Sequence, residues 1–443
     1  MADPVAELVA RLAALERHIE ELERQESVSL YAKRGAAILP DALMICHFDG
    51  PRPFETDFTG DPNGHLGQVP TVSGGVYYRP GKFGKAVVVG EATTNELLNP
   101  VFENNVTDGW SLNEGGTGGS LNHDTITAWI GSASLRIDRG TAWTQAISNT
   151  ITLAAGESVA IQAQVKTDGT GQADIKLRDI TNGVVRVVAS TTATDWTFLT
   201  GTWTNDTGAT VTVRMQCNIP NGGANQAWFD ACQMEKKPYP TPLCYGDLPG
   251  HSWSGTAHAS TSSRTAAALQ YTQRLNLSAG TIAAWVYANA GLQNDAANRY
   301  IVACTENTPS PYANTLALRR MIGGTWRFWT VDGSGNSHDL EVADTLSEGW
   351  HHLVATWRDA SGNVDKRLYI DGELAAQETT SIFPASLDAD LFVGVWATGA
   401  YGWTNTFLDD LLVVDRALPA AEARAIYRSG VPVFVPTAAW YTA

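Results

Sequence analysis

Two carboxylate pairs and one histidine pair are the residues most able to do chemistry. Glu341 and Asp344 stand three apart, and Asp409 and Asp410 are adjacent. Successive side chains on a strand point to opposite faces, so neither pair sets two carboxyls side by side. Glycosidic cleavage needs such a pair, as in E-x-D-x-x-E, and no such run occurs. His351-His352 opens the strand-like run ending at Trp357, where a core role outweighs a zinc or acid–base role. G-x-S-x-G, P-loop and H-E-x-x-H patterns are absent. Cys46, Cys217, Cys232, Cys244 and Cys304 lack C-x-x-C spacing, which argues against zinc. Cys217 and Cys232 flank an expected hairpin and could pair, but buried free thiols are expected. The chain reads as a non-enzyme.

Aromatic rings are the remaining chemical resource. Flat rings beside polar groups can stack on the faces of sugars. The candidates between residues 95 and 245 are Trp129, Trp143, Trp203 and Trp228. A second set, Trp396, Tyr401 and Trp403, lies in the glycine-rich stretch 394–403, where Gly399 and Gly402 favour a turn that leaves rings outside a strand. For each ring, core packing or an oligomer interface competes with sugar contact.

The elements that carry these residues are mostly strands. The chain has 443 residues, 44% hydrophobic and 17% charged, with 41 glycines and 15 tryptophans, a balance suited to two or three domains. A net charge of −16 argues against a nucleic-acid partner, since phosphate binding needs clustered Lys and Arg. No apolar run reaches the roughly 20 residues of a membrane helix, so no membrane insertion is expected. The charged N-terminus has no signal-peptide h-region, which predicts assembly in a host cytoplasm. Val5, Leu8, Leu12, Leu15, Ile19 and Leu22 alternate at spacings of three and four, predicting a short coiled coil within 1–30. A linker follows to residue 40. Period-two runs such as Val159-Ala160-Ile161-Gln162-Ala163-Gln164-Val165 and Thr210-Val211-Thr212-Val213-Arg214-Met215 predict half-buried antiparallel strands. Residues 250–415 repeat this texture, with a tight turn at Asp371-Gly372. A helix from Pro419 to Arg428 and an extended tail over 431–443 complete the chain.

Five marks in order resemble a laminin-G-like, concanavalin-A-like jelly roll. They are Pro80-Gly81-Lys82-Phe83-Gly84-Lys85-Ala86, then 281–285, then Gly349-Trp350-His351-His352-Leu353-Val354-Ala355-Thr356-Trp357, then Tyr369-Ile370-Asp371-Gly372-Glu373, then 409–418. The jelly roll is split, over 41–94 and 246–430. Residues 95–245 resemble a carbohydrate-binding module of the family-four/nine type, on Asn99-Pro100-Val101-Phe102-Glu103, Asp108-Gly109-Trp110, Gly131-Ser132-Ala133-Ser134-Leu135-Arg136, Asp195-Trp196-Thr197 and Phe229-Asp230. The resemblance implies a mainly β chain: two antiparallel β-sandwiches, one inserted in the other, behind an N-terminal coiled-coil helix. It makes Trp110, Trp196, Trp285, Trp350 and Trp357 core residues. It also implies a structural Ca²⁺ held by Glu103 and Asp230, although Ala231 stands where the family often has a second Asp. Asp409 matches a common family acid, whose bland role is to bind backbone amides. The combination is similar to tail-fibre and tail-tip proteins of bacteriophages. That implies a homotrimer in a virion, bound to other tail proteins and to host-surface polysaccharide. A decoration protein of a capsid or tail and a secreted polysaccharide-binding protein are the alternatives.

Overall fold

The computed structural model describes residues 42–46, 48, 70–294, 296–306, 312–397 and 401–429. The heptad residues Val5, Leu8, Leu12, Leu15, Ile19 and Leu22 and the tail 431–443 lie outside these.

The architecture is mainly β and antiparallel throughout. An eight-stranded sheet runs in the order Glu373–Thr380, Val364–Ile370, Gly349–Asp359, Ala279–Ala288, Thr406–Val414, Lys85–Val89, Tyr77–Pro80, with Ala42–Cys46 also paired to Thr406–Val414. Its strands therefore come from both sides of the 95–245 segment. A seven-stranded sheet lies against it, centred on Arg299–Thr305 and Thr315–Met321. One apolar core joins them, with Ile282, Leu353 and Val413 from the first sheet meeting Val302, Leu316 and Phe328 from the second.

The alternation that predicts strands also decides what each strand buries. Along Ala279–Ala288, Ile282, Ala284 and Val286 enter this core, and Ala283 faces outward. The helix Ala420–Ser429 covers that outward side, placing Ala423 and Ile426 on Ala283, Val354 and Leu412. Trp285, also outward, stacks on Tyr427 at 5.6 Å. The Asp-Gly turn forms as expected, with φ of 51° at Asp371 and 78° at Gly372. A Cβ at Gly372 would also press on the Cα of Arg424 at 3.0 Å, so this turn admits only glycine comfortably.

Residues 110–235 build two five-stranded sheets. One runs Thr197–Thr204, Ser158–Thr167, Gln226–Glu235, Ser134–Asp138, Ser120–Asp124; the other runs Val184–Thr191, Ala173–Asp179, Val211–Ile219, Thr144–Leu153, Trp110–Glu114. Val159, Ile161, Ala163 and Val165 of the first meet Ile175, Leu177 and Val213 of the second. Cys217 and Cys232 lie in this core with sulfurs 3.9 Å apart, and both are free thiols.

A buried polar seam joins the two sandwiches. A three-stranded sheet of His251–Trp253, Ser262–Arg264 and Thr93–Asn95 brackets the junction. Arg264 donates from Nε to the Glu91 carbonyl at 2.9 Å, from Nη1 to the Pro242 carbonyl at 2.7 Å, and from Nη2 to Thr241 Oγ1 at 3.2 Å. The Glu235 carboxylate accepts from Thr93 Oγ1, Gln233 Nε2 and the Thr241 amide, and burial pushes its pKa up. Glu91 accepts from Asn405 Nδ2, Lys237 and Tyr239. Buried charges persist only where every partner is supplied, and here segments before, within and after 95–245 supply them.

Candidate functional site

The sheet containing Ser158–Thr167 presents a polar outward face. With the odd residues from Val159 to Val165 in the core, Gln162, Gln164 and Lys166 point away from it. Pairing aligns a row across four strands: Lys166 opposite Trp228, Trp228 opposite Arg136, and Arg136 opposite Asn122. Directly paired residues share a face, so this row is one surface. The half-buried Trp228 donates its indole N–H to Asp124 at 2.9 Å, and the Lys166 ammonium sits 5.4 Å from its ring centroid. Arg136 bridges Asp124 and Asp138, and Asp138 also accepts from Asn122 and Gln226. Hydrogen bonds from the Trp228 indole and from the amides of Ile126 and Thr127 draw the Asp124 pKa below its usual value, against the upward push of desolvation. A ring held by fixed donors and acceptors is the arrangement that sugar stacking requires.

The other expected rings scatter. Trp203 turns inward and packs on the core, with the Arg186 guanidinium 4.7 Å over its ring. Trp143 lies on Gly115, where a Cβ would come within 2.2 Å of its indole nitrogen. Trp129 carries the Arg79 guanidinium 4.0 Å over its ring, and both residues line the cavity between the sandwiches.

In the 394–403 stretch the expectation of exposed rings fails for two of three. Trp396 is fully buried, ringed by Tyr300, Tyr312 and Trp329 at 4.7–5.6 Å centroid spacings. Flexible glycines around it do not keep so large an apolar ring out of the interior. Trp403 is half-buried on the main core and spends its N–H on the Ala267 carbonyl at 2.8 Å. Tyr401 is 40% exposed, and its hydroxyl lies 2.9 Å from that of Tyr312.

Two tryptophans expected in the core are elsewhere. Trp110, Trp285 and Trp357 are buried, but Trp196 and Trp350 are only half-buried and line a cavity of about 660 Å³ between the sandwiches. Trp350 lies opposite Tyr287 in the strand pairing, on the outward side of the eight-stranded sheet. Phe407 completes the cluster, 5.7 Å from Tyr287 and 6.5 Å from Trp350. Facing them across the cavity are Trp196, Phe198 and Gln164.

Glu103 and Asp230 both hold the loop 129–132, through N–H groups. Asp230 accepts from the amides of Trp129, Ile130 and Ala231, and Glu103 accepts from the amide and hydroxyl of Ser132. Burial pushes the Asp230 pKa up to about 7. These protein donors take up much of the acceptor capacity of both carboxylates and leave little to offer a Ca²⁺ ion. Among the described residues no group of three or more His, Cys, Asp or Glu gathers to hold a metal.

The potential catalytic groups are absorbed structurally. His351 pairs with Asp371 at 2.7 Å, while burial of His352 lowers its pKa to about 4. Asp344 accepts from the Trp326 indole at 3.0 Å and pairs with Arg320, and Glu341 pairs with Arg327. Asp409 accepts the Phe83 amide at 2.9 Å and the Asp410 amide at 2.8 Å, the backbone role open to it from sequence.

Both sandwiches match family models. Residues 94–223 match a carbohydrate binding domain family, and residues 259–424 match the concanavalin A-like lectin/glucanases superfamily. No curated protein matches the chain. Among solved structures, one similar chain is the receptor binding domain of botulinum neurotoxin mosaic serotype C/D, at 15% identity and TM-score 0.29, covering 37% of this chain and 40% of that one. The chain thus spans well under two thirds of that domain. The CBM22-1 xylan-binding domain of Paenibacillus barcinonensis Xyn10C is 23% identical, TM-score 0.25, over 34% of this chain and 97% of that one. The Ruminococcus gnavus IT-sialidase CBM40 is 13% identical, TM-score 0.27, over 34% and 83%.

Proposed function

We propose that this chain is a non-catalytic, glycan-binding subunit that serves as a structural and adhesive part of a virion or phage-tail-like particle, in a tail fibre or tail tip. The observation that carries the glycan-binding reading is the Lys166–Trp228–Arg136–Asn122 row, which sets a ring among fixed polar groups in a segment that matches a carbohydrate binding domain family. The non-catalytic reading is supported by the structural engagement of His351, Asp344, Glu341 and Asp409. The particle context is supported by the heptad stripe and by the sequence resemblance to tail proteins. A trimer would present three copies of the row, and avidity would multiply weak single-site affinity.

The test is binding of labelled full-length protein to a panel of bacterial cells and purified surface polysaccharides. Saturable binding that soluble polysaccharide competes away supports the reading. A folded protein that binds no cell and no polysaccharide overturns it. A second reading, decoration of neighbouring subunits, is favoured by the edge strand Val184–Thr191, which exposes Val184, Val185 and Val188. Attachment to particles that survives deletion of residues 1–26 would select that reading.

A further inference from the structure

We propose that the glycan face continues past its open row into the cavity between the sandwiches, so that both sandwiches together hold one linear, uncharged oligosaccharide. This rests on the glycan-binding reading above.

Continuity comes from the strand Ser158–Thr167. Lys166 belongs to the open row, Gln164 is the next outward residue, and Gln162 the one after; both glutamines line the cavity. At about 3.3 Å per residue, successive outward positions lie roughly 7 Å apart, a spacing that lets one chain of sugar rings contact both regions. Gln164 is paired with Phe198, so an amide and a ring lie together on this wall, with Trp196 beside them.

The opposite wall belongs to the other sandwich. Tyr287, Trp350 and Phe407 form an outward cluster that lines the cavity, whereas Trp285 further along the same strand as Tyr287 stacks on Tyr427 of the covering helix. Rings on two facing walls clasp the apolar faces of a flat chain, and amides between them meet its hydroxyls.

An unmet polar group points to a ligand. Gln162 is 4% exposed; its Nε2 donates to the Thr241 carbonyl at 3.0 Å, but its Oε1 has no hydrogen-bond partner. A buried acceptor left unpaired is costly, and a small turn of this side chain toward the cavity it lines would let a sugar hydroxyl satisfy it.

Charge sets the ligand class. The lining carries one guanidinium, Arg79, and one carboxylate, Glu348. Arg79 is already engaged with the Trp129 ring, and Glu348 accepts from the Tyr287 hydroxyl. The near-neutral lining favours an uncharged chain over an acidic one. The volume falls within the roughly 300–1,000 Å³ typical of ligand sites. The buried seam beneath fixes the two walls before binding, which lowers the ordering cost.

The test is calorimetric titration of the full chain with cellohexaose, xylohexaose, mannohexaose, maltohexaose and the acidic hexagalacturonate. Trp350→Ala and Phe198→Ala remove one ring from each wall, and Trp228→Ala removes the open-row ring. The expected result is that at least one neutral hexasaccharide binds, and that both wall variants, with unfolding midpoints checked, weaken it about tenfold or more. Loss with Trp228→Ala but unchanged affinity in both wall variants overturns the composite cleft and leaves the glycan reading standing. Preference for hexagalacturonate overturns the uncharged class. Absence of binding by all five probes overturns this inference, while the polysaccharide panel separately decides the broader reading.

Discussion

Arg264→Met tests the seam most sharply, because methionine keeps much of the apolar stem and removes only the guanidinium. Arg264 is 2% exposed and donates to Glu91, Pro242 and Thr241. These acceptors lie on the strand-loop before residue 95 and on the return segment near 241, so the change cuts the contacts that tie the sandwiches. Hydrogen bonds to a charged group contribute about 1.5–3 kcal/mol each. Removing the ion also removes its desolvation cost, so the net loss expected is about 3–5 kcal/mol, as for other broken buried charge networks. At roughly 2–4 °C per kcal/mol for units of this size, the unfolding midpoint should fall by about 6 °C or more. Differential scanning calorimetry measures the shift, and limited proteolysis should show faster cleavage between residues 236 and 250. A midpoint within about 1 °C of wild type, with an unchanged digestion pattern, would refute the claim that the seam holds the sandwiches together.

Three other outcomes are expected. Burial holds His352 neutral, with its pKa lowered to about 4. The unfolded chain takes up that proton first, near pH 6.5, so this residue's contribution is lost as pH falls from about 6.5 to 4, on the order of 3 kcal/mol in all. Asp230, raised to about 7, acts in the opposite sense and gains stability as pH falls. Urea midpoints of wild type and His352→Gln isolate the histidine: the acid-side loss should be smaller in the variant, and equal slopes would contradict its assignment. Chelation with EDTA should move the unfolding midpoint by less than ~1 °C, since the Glu103 and Asp230 oxygens face N–H donors; a drop of several degrees would mean that a bound cation is being removed. Light scattering of the full-length chain should give three times the chain mass, and a monomer would remove the avidity argument.

The alternation in 159–165 was legible because period two is a property of the strand itself; which face meets the core, leaving Gln162 and Gln164 outward, comes from the packing of the two sheets. Trp228 was also legible as a candidate ring. Its partners Arg136, Asp124 and Lys166 were not, because strand register across four strands is set by tertiary pairing. Trp350 shows the limit of a strand-level reading. Its strand was right, but whether its outward side meets a helix, water or another sandwich depends on how the return segment docks. Trp396 fails for the converse reason: glycines next to it suggested a loop, and the burial of a large ring overrode that local signal. Nothing in the local sequence marks Arg264, Glu91 and Glu235 as buried, and only the junction geometry buries them.

The most direct test of the central claim is the affinity of wild type and Trp228→Ala for the polysaccharide that the panel identifies. Both are measured with full-length protein and matched unfolding midpoints. The account predicts a loss of about 2 kcal/mol, near thirtyfold, from deleting the one ring of the open row. Unchanged affinity in a folded variant would contradict it and move recognition off this face.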